Sequence, residues 1–384
     1  MKFKTEKNNL FLVLMGCALA LVATEIMLRV YNPFQFRVKA DNIKLPVYHH
    51  YRFELTNVKR LDRIVRHTKN SLGFRGEEPP KNFEKHLTII TVGGSETESF
   101  VINDGKTWPA LLGEKAKESF KHVWLNNAGK DGLSTYGYTI LMENYIHKIK
   151  PKVVLFVVGL GDQISKDDRR FDQQLTNGLA INLDSIKGFL RTAGNYSEVF
   201  TLALNLYRYT KKIPFPHTNG LEKDLKKNEI LEIGKNKELK IIDKKLKEFK
   251  EKYENGYSLR LKNLINVARE NNIQPVLLTS PTLYGDTIDD ITKVNLGTIK
   301  IANGENGNIA WKNLEFFNDV TRAIGSDRNV LVIDLANEMP KSSRYFYDFT
   351  HFNNEGSEKI SEIVYKKLKP FLKNNYGAYS KIIN

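Results

Sequence analysis

The segment Leu87-Thr-Ile-Ile-Thr-Val-Gly-Gly-Ser-Glu-Thr97 decides how the rest of the chain is read. Leu87 to Val92 is an unbroken run of apolar and β-branched residues, which suits a strand buried on both faces, where no alternation is needed. Gly93 and Gly94 end the run and Ser95 follows at once. A catalytic hydroxyl has to project from a tight strand-to-helix turn, where glycines permit the backbone angles and the close approach of a substrate. The helix that follows can lend amide donors to developing negative charge. The same arrangement also serves a phosphate-binding turn or a plain tight turn, so this segment alone leaves three readings.

Working outward, four more such runs appear: Val123 to Leu125 before Asn126-Asn127-Ala128-Gly129, Val153 to Val158 between Pro151 and Gly159, Pro275 to Thr279 before Ser280-Pro281, and Val330 to Asp334. Continuous apolar strands separated by helical stretches imply a five-stranded parallel sheet between helices, an α/β fold. Active sites in such sheets gather at the carboxyl ends of the strands. A long insertion, about 165–252, separates the third and fourth runs. Its second half, 221–252, has eleven Lys against eight Asp and Glu. There Leu239, Ile242, Leu246, Phe249 and Tyr253 recur at helical spacing. That stripe fits a solvated helix packed on the domain, or a lid, protein-partner or anionic-surface helix.

The N-terminus predicts a membrane anchor. Leu10 to Leu28 is apolar except for Thr24 and Glu25 and follows Lys2, Lys4 and Lys7. The length suits one bilayer crossing, and a short basic tail favours the cytosolic side. The expected organisation is a cytosolic tail 1–9, an anchor 10–28, a juxtamembrane segment 29–80 and a catalytic domain 81–375 outside the cytoplasm, periplasmic or extracellular. Two rivals are a cleaved signal peptide and a lipoprotein, because Leu14-Met15-Gly16-Cys17 resembles a lipobox. Cys17 is the single cysteine among 384 residues, which excludes an intrachain disulfide and a cysteine metal cluster. The net charge of +15 could meet nucleic acid, anionic lipid or acidic glycan. Neither zinc-finger spacing nor a compact Arg-rich run supports nucleic acid, so none is expected as a partner.

A serine nucleophile needs a base, normally a histidine whose tautomer a carboxylate fixes. Of eight histidines, seven have no catalytic context. His351 differs, because Tyr347-Asp-Phe-Thr-His-Phe-Asn-Asn-Glu-Gly356 places Asp348 three residues before it. In a turn that carboxylate can reach one ring nitrogen while the other faces the serine. A buried structural pair would read the same way.

Taken in order, these blocks resemble the SGNH (GDSL-like) hydrolase family. Gly93-Gly94-Ser95-Glu96-Thr97 is similar to the Gly-Gly-Ser-x-Thr variant of its nucleophile block, Asn127 to Thr135 to its second block, and Asp348-x-x-His351 to its last. The lead-in Asn70-Ser71-Leu72-Gly73-Phe74-Arg75 and the stretch 318–334 resemble membrane-anchored bacterial members. The resemblance implies a flavodoxin-like SGNH hydrolase fold, Ser95, Asp348 and His351 as a triad, and the amides of Ser95 and Gly132 as oxyanion donors. One block departs: Gly159-Leu160-Gly161-Asp162 stands where the family has Gly-x-Asn-Asp, so Gly161 replaces an oxyanion asparagine. The site would then work with two amides, with a donor from Gln163 or Asn127, or feebly. The implied function is a serine esterase or O-acyl hydrolase, or an acyltransferase, acting on an O-acylated envelope carbohydrate through an acyl-enzyme, with no cofactor and no metal. The alternatives are a catalytically weak accessory protein of envelope-polysaccharide assembly, with the insertion contacting a partner, and a lipase.

Overall fold

The computed structural model describes residues 2–31, 37–39, 42–55, 60–165, 193–194, 196–210, 225, 235–301 and 305–381. Two compact units emerge: Met1–Pro46 with Gln174–Phe215, and Val47–Gln173 with Pro216–Asn384. In the first, a helix runs over Lys2–Val30. Its stretch Phe11–Val30 has a mean hydropathy of 2.3 and is long and apolar enough to cross a membrane. Strands β1 (Arg37–Lys39) and β2 (Asn42–Lys44) pair antiparallel, and a helix covers Glu198–Thr210.

The second unit begins with an antiparallel pair, β3 (His50–Glu54) and β4 (Ile64–Thr68). Its centre is a parallel sheet of β5 (Leu87–Val92), β6 (Val123–Asn127), β7 (Val153–Val158), β8 (Gln274–Thr279) and β9 (Val332–Ile333), in the order β6-β5-β7-β8-β9. This is the flavodoxin-like 2-1-3-4-5 order, whose switch point lies between the first and third strands. Here those are β5 and β7, paired Ile89 to Val153 and Val92 to Phe156. Every residue of both strands is buried, as their continuous apolar sequences require. The sheet is flanked by two packed helix pairs, Trp108–Ser119 with Asn354–Asn375 and Lys235–Glu270 with Gly307–Asp327.

Three details differ from the sequence pattern. Strand β6 runs two residues further, to Asn127, because Arg75 adds itself to its free edge, with Arg75 N donating to Asn127 O at 2.9 Å and Asn127 N to Arg75 O at 2.8 Å. Strand β9 is shorter, since Asp334 already opens the turn Leu335–Glu338. The amphipathic stripe of the insertion lies in a 36-residue helix, Lys235–Glu270, that continues directly into β8's crossover. Ile242 is buried, and Leu246 lines a groove with Phe316 of the neighbouring helix. Of the insertion, residues 166–192, 195, 211–224 and 226–234 lie outside the described residues.

Candidate active site

Ser95 sits at the carboxyl end of β5, as the first residue of a single helical turn, Ser95–Glu98. It is half-buried, while every residue from Leu87 to Gly94 and from Glu96 to Ser99 is buried. The hydroxyl is therefore the reachable part of an otherwise closed turn. At the other end of the chain, Asn353 caps the Asn354–Asn375 helix, its side chain accepting from Gly356 N at 2.9 Å. The loop before that cap carries Asp348 and His351.

The structure brings the three residues together. Ser95 Oγ lies 2.7 Å from His351 Nε2, and His351 Nδ1 lies 2.7 Å from Asp348 Oδ2. The second oxygen, Asp348 Oδ1, accepts from the backbone N–H of Thr350 at 2.8 Å and of His351 at 2.7 Å. Those two amides fix the carboxylate from within its own loop. Tyr347 stacks on the imidazole, its ring 5.5 Å away and 9° from parallel. Burial pushes the His351 ring's pKa down, but the charge and hydrogen bond of Asp348, with Glu96 and Asp131 behind, raise it above its ordinary 6.5. Burial pushes Asp348 up, and His351 with the two loop amides outweighs it, holding the carboxyl below its ordinary value. The pair is thus poised with an acceptor nitrogen toward Ser95 and a donor toward Asp348.

The serine turn is supported differently. Glu98, the last residue of that turn, is buried and accepts from Lys69 Nζ at 2.8 Å and from Asp131 N at 2.7 Å, with Lys130 Nζ 3.8 Å away. Burial alone would raise its pKa; Lys69 and Lys130 reverse that and hold it well below the carboxylate range. Lys130, itself fully buried, donates to Gly73 O at 3.1 Å. Arg75 donates to the carbonyls of Glu98 (2.9 Å), Ser99 (2.7 Å) and Ile102 (2.8 Å) and pairs with Asp104 at 2.7 Å. Residues 69–75, expected in a juxtamembrane segment, are therefore bracing the serine turn. Sequence reasoning noticed the 70–75 stretch without a role for it, and it missed Lys69, Glu98 and Lys130.

Gly132 takes a left-handed backbone, φ 74°, in the turn that Glu98 pins through Asp131 N. Gly161 is the second residue of the helix after β7, Leu160–Ser165, and lies against the same turn; a Cβ there would collide with the carbonyl oxygen of Leu133. A side chain at 161 would therefore require the Leu133 backbone to shift. The two suggested substitutes are engaged elsewhere. Asn127 Nδ2 donates to Thr97 O at 2.6 Å and Gln163 Nε2 to Ala310 O at 2.9 Å. Next to Gly161, buried Asp162 accepts from Thr135 Oγ1 at 2.6 Å and from Arg260 Nη2 at 3.1 Å, tying the long Lys235–Glu270 helix to this strand end. Among the described residues no group of three or more His, Cys, Asp or Glu is arranged to hold a metal ion.

No protein-family model matches the chain, and no curated protein matches it. Among solved structures, the chain is similar to a protein assigned to the G-D-S-L lipolytic family from Desulfitobacterium hafniense, at 14% identity over 73% of this chain and 99% of that one, TM-score 0.37. It is similar to the psychrotrophic esterase EstA from Pseudoalteromonas, at 13% identity over 75% and 100%, TM-score 0.37. It is also similar to a lipase/acylhydrolase from Enterococcus faecalis, at 14% identity over 74% and 97%, TM-score 0.40. At these identities the likeness is one of fold and extends no further.

Proposed function

We propose that this chain is a membrane-anchored serine ester hydrolase of the SGNH type, with Ser95 as nucleophile, His351 as base and Asp348 as the group that orients it. One observation carries the reading: an unbroken relay of 2.7 Å contacts from Ser95 Oγ through both ring nitrogens to Asp348, on a serine at the switch point of the sheet. The Ser95 oxygen attacks the ester carbonyl carbon while His351 Nε2 takes its proton. The imidazolium that forms is stabilised by Asp348, which stays ionised. The tetrahedral oxyanion faces the amides of Ser95 and Gly132. Collapse breaks the ester C–O bond, the leaving alkoxide takes the proton back from His351, and the acyl group remains on Ser95. Water, or a sugar hydroxyl in a transferase, then adds by the same route in reverse.

The substrate class we favour is an O-acylated envelope carbohydrate, with the catalytic unit outside the cytoplasm. The basic tail before the apolar helix supports that orientation, and a net charge of +15 suits an anionic polymer. Ser95→Ala should remove p-nitrophenyl acetate turnover by at least about 10⁴-fold, and with it labelling by a fluorophosphonate probe. Turnover unchanged in that variant would sink the assignment. A second reading, an accessory protein of polysaccharide assembly with little turnover, is favoured by Gly161, which offers no side-chain donor to the oxyanion. Absence of Ser95-dependent fluorophosphonate labelling in the unaltered protein would select it.

A further inference from the structure

We infer that the Glu198–Thr210 helix is a second membrane element, seated in the lipid interface alongside the anchor. The inference rests on the reading of Phe11–Val30 as a membrane span. It comes from three observations within the Met1–Pro46 and Gln174–Phe215 unit.

First, the helix starts on a carboxylate that belongs to the span. Glu25 Oε2 accepts from Ser197 Oγ at 2.8 Å, from Glu198 N at 2.7 Å and from Val199 N at 3.1 Å, while Oε1 accepts from Arg29 Nε at 2.8 Å. A carboxylate in an apolar span is costly unless its lone pairs are matched, and here the free N–H groups of a helix start match them. Arg29 adds a bond to Tyr196 O at 3.1 Å. Going from Tyr196 to Val199 therefore means going from the level of Arg29 back to that of Glu25. The Glu198–Thr210 helix enters the layer that the anchor is leaving, about 7 Å inside the end of the span at 1.5 Å per residue.

Second, its described side chains are placed inside out for water. Among its described side chains, the polar Glu198 (0% exposed) and Thr201 (5%) are buried. The large apolar Leu206 (57%) and Phe200 (37%) face outward. A helix on an aqueous surface has the reverse arrangement. Third, the anchor beside it has its own apolar side chains outward, Leu19, Val22 and Ile26 being 63%, 56% and 58% exposed, so both helices present apolar surface from one unit. Thirteen residues, about 20 Å, are too few to cross a bilayer and suit an interfacial or re-entrant piece. The occupant of the exposed face is accordingly phospholipid.

The test uses the full chain with Cys17→Ser and one new cysteine, Leu206→Cys, carrying an environment-sensitive fluorophore, in vesicles of phosphatidylcholine and phosphatidylglycerol. Companion variants place the label at Leu19→Cys in the span and at Lys244→Cys on the 36-residue helix. Doxyl-phosphatidylcholine should quench the 206 and 19 labels and leave the 244 label bright, while aqueous iodide should quench only the last. A 206 label quenched by iodide and untouched by doxyl lipid, with the 19 label still lipid-quenched, overturns the inference alone. Loss of lipid quenching at both positions removes the anchor reading and the inference with it. Glu25→Ala should raise iodide quenching at 206 without changing it at 19; no change at 206 would deny Glu25 its part in seating the helix.

Discussion

The two sides of the candidate site are held in opposite ways. The base loop orients its own pair: Asp348 is fixed by the amides of Thr350 and His351, and His351 is stacked on Tyr347, all within five residues, with one backbone bond from outside, Leu283 N to Phe349 O at 2.9 Å. The nucleophile turn is held from far away in sequence. Lys69 and Arg75 come from before the first central strand, Lys130 and Asp131 from after the second, and they converge on Glu98 and the carbonyls beside it. A base must keep some freedom to hand a proton across, and a short loop with a stacked ring allows that. A serine turn and its oxyanion amides must not move as charge develops, since preorganised donors are what lower the barrier. Buried charges that are matched only in one geometry supply that rigidity.

The contrast predicts that base-side variants lose turnover while keeping their stability, whereas nucleophile-side variants lose both. The largest effect should come from Asp348→Asn. It keeps the loop shape but favours the wrong imidazole tautomer, so kcat for p-nitrophenyl acetate should fall on the order of 10⁴-fold, with Tm nearly unchanged. A large drop in Tm would show that the Asp348 carboxylate also holds the wider fold. Next, Glu98→Gln leaves Lys69 and Lys130 buried without their anion and should cost about 3–5 kcal/mol in urea unfolding, with activity falling too. Because Glu98 is held below its ordinary 4.5, its stabilisation is present above about pH 4.5 and is lost on acidification, so the gap between the parent and the variant should narrow in acid.

Smaller still, Gly161→Asn should not restore a third oxyanion donor. Its Cβ must displace the Leu133 peptide, an overpacking cost of about 1–3 kcal/mol, and turnover should fall with it. A gain in turnover would show that the turn yields and that the parent is limited by the missing donor. The smallest effect concerns pH. A general base works only when neutral, so kcat/KM should rise with pH through a midpoint above 6.5, the ordinary value that His351 exceeds. Asp131→Asn removes one of the negative charges that raise it, so that midpoint should move down. An unmoved midpoint would mean that Asp131 does not act on the ring.

Much of this was legible in one dimension, for definite reasons. Strands β5 and β7 read directly, because burial on both faces leaves no polar position to blur the run. Asp348 and His351 read because a carboxylate three residues before an imidazole needs only a turn to reach it. Ser95 read as one of several options, since strand-Gly-Gly-Ser suits more than one chemistry. Lys69, Glu98 and Lys130 did not read: each is an ordinary surface residue by type, and nothing local says that three of them share one buried site.

By itself, then, the sequence determined the five central strands in their chain order, an apolar N-terminal helix and the identity of a serine, an aspartate and a histidine able to form a relay. Periodicity and short-range spacing suffice for these, because they depend on neighbours along the chain. Only the tertiary structure decided that Ser95 and His351 meet, that the segment before the first central strand braces the nucleophile, and that Gly161 is required by the carbonyl of Leu133. Those facts depend on backbone segments more than 20 residues apart arriving in contact, and the chain's local chemistry does not specify which ones do.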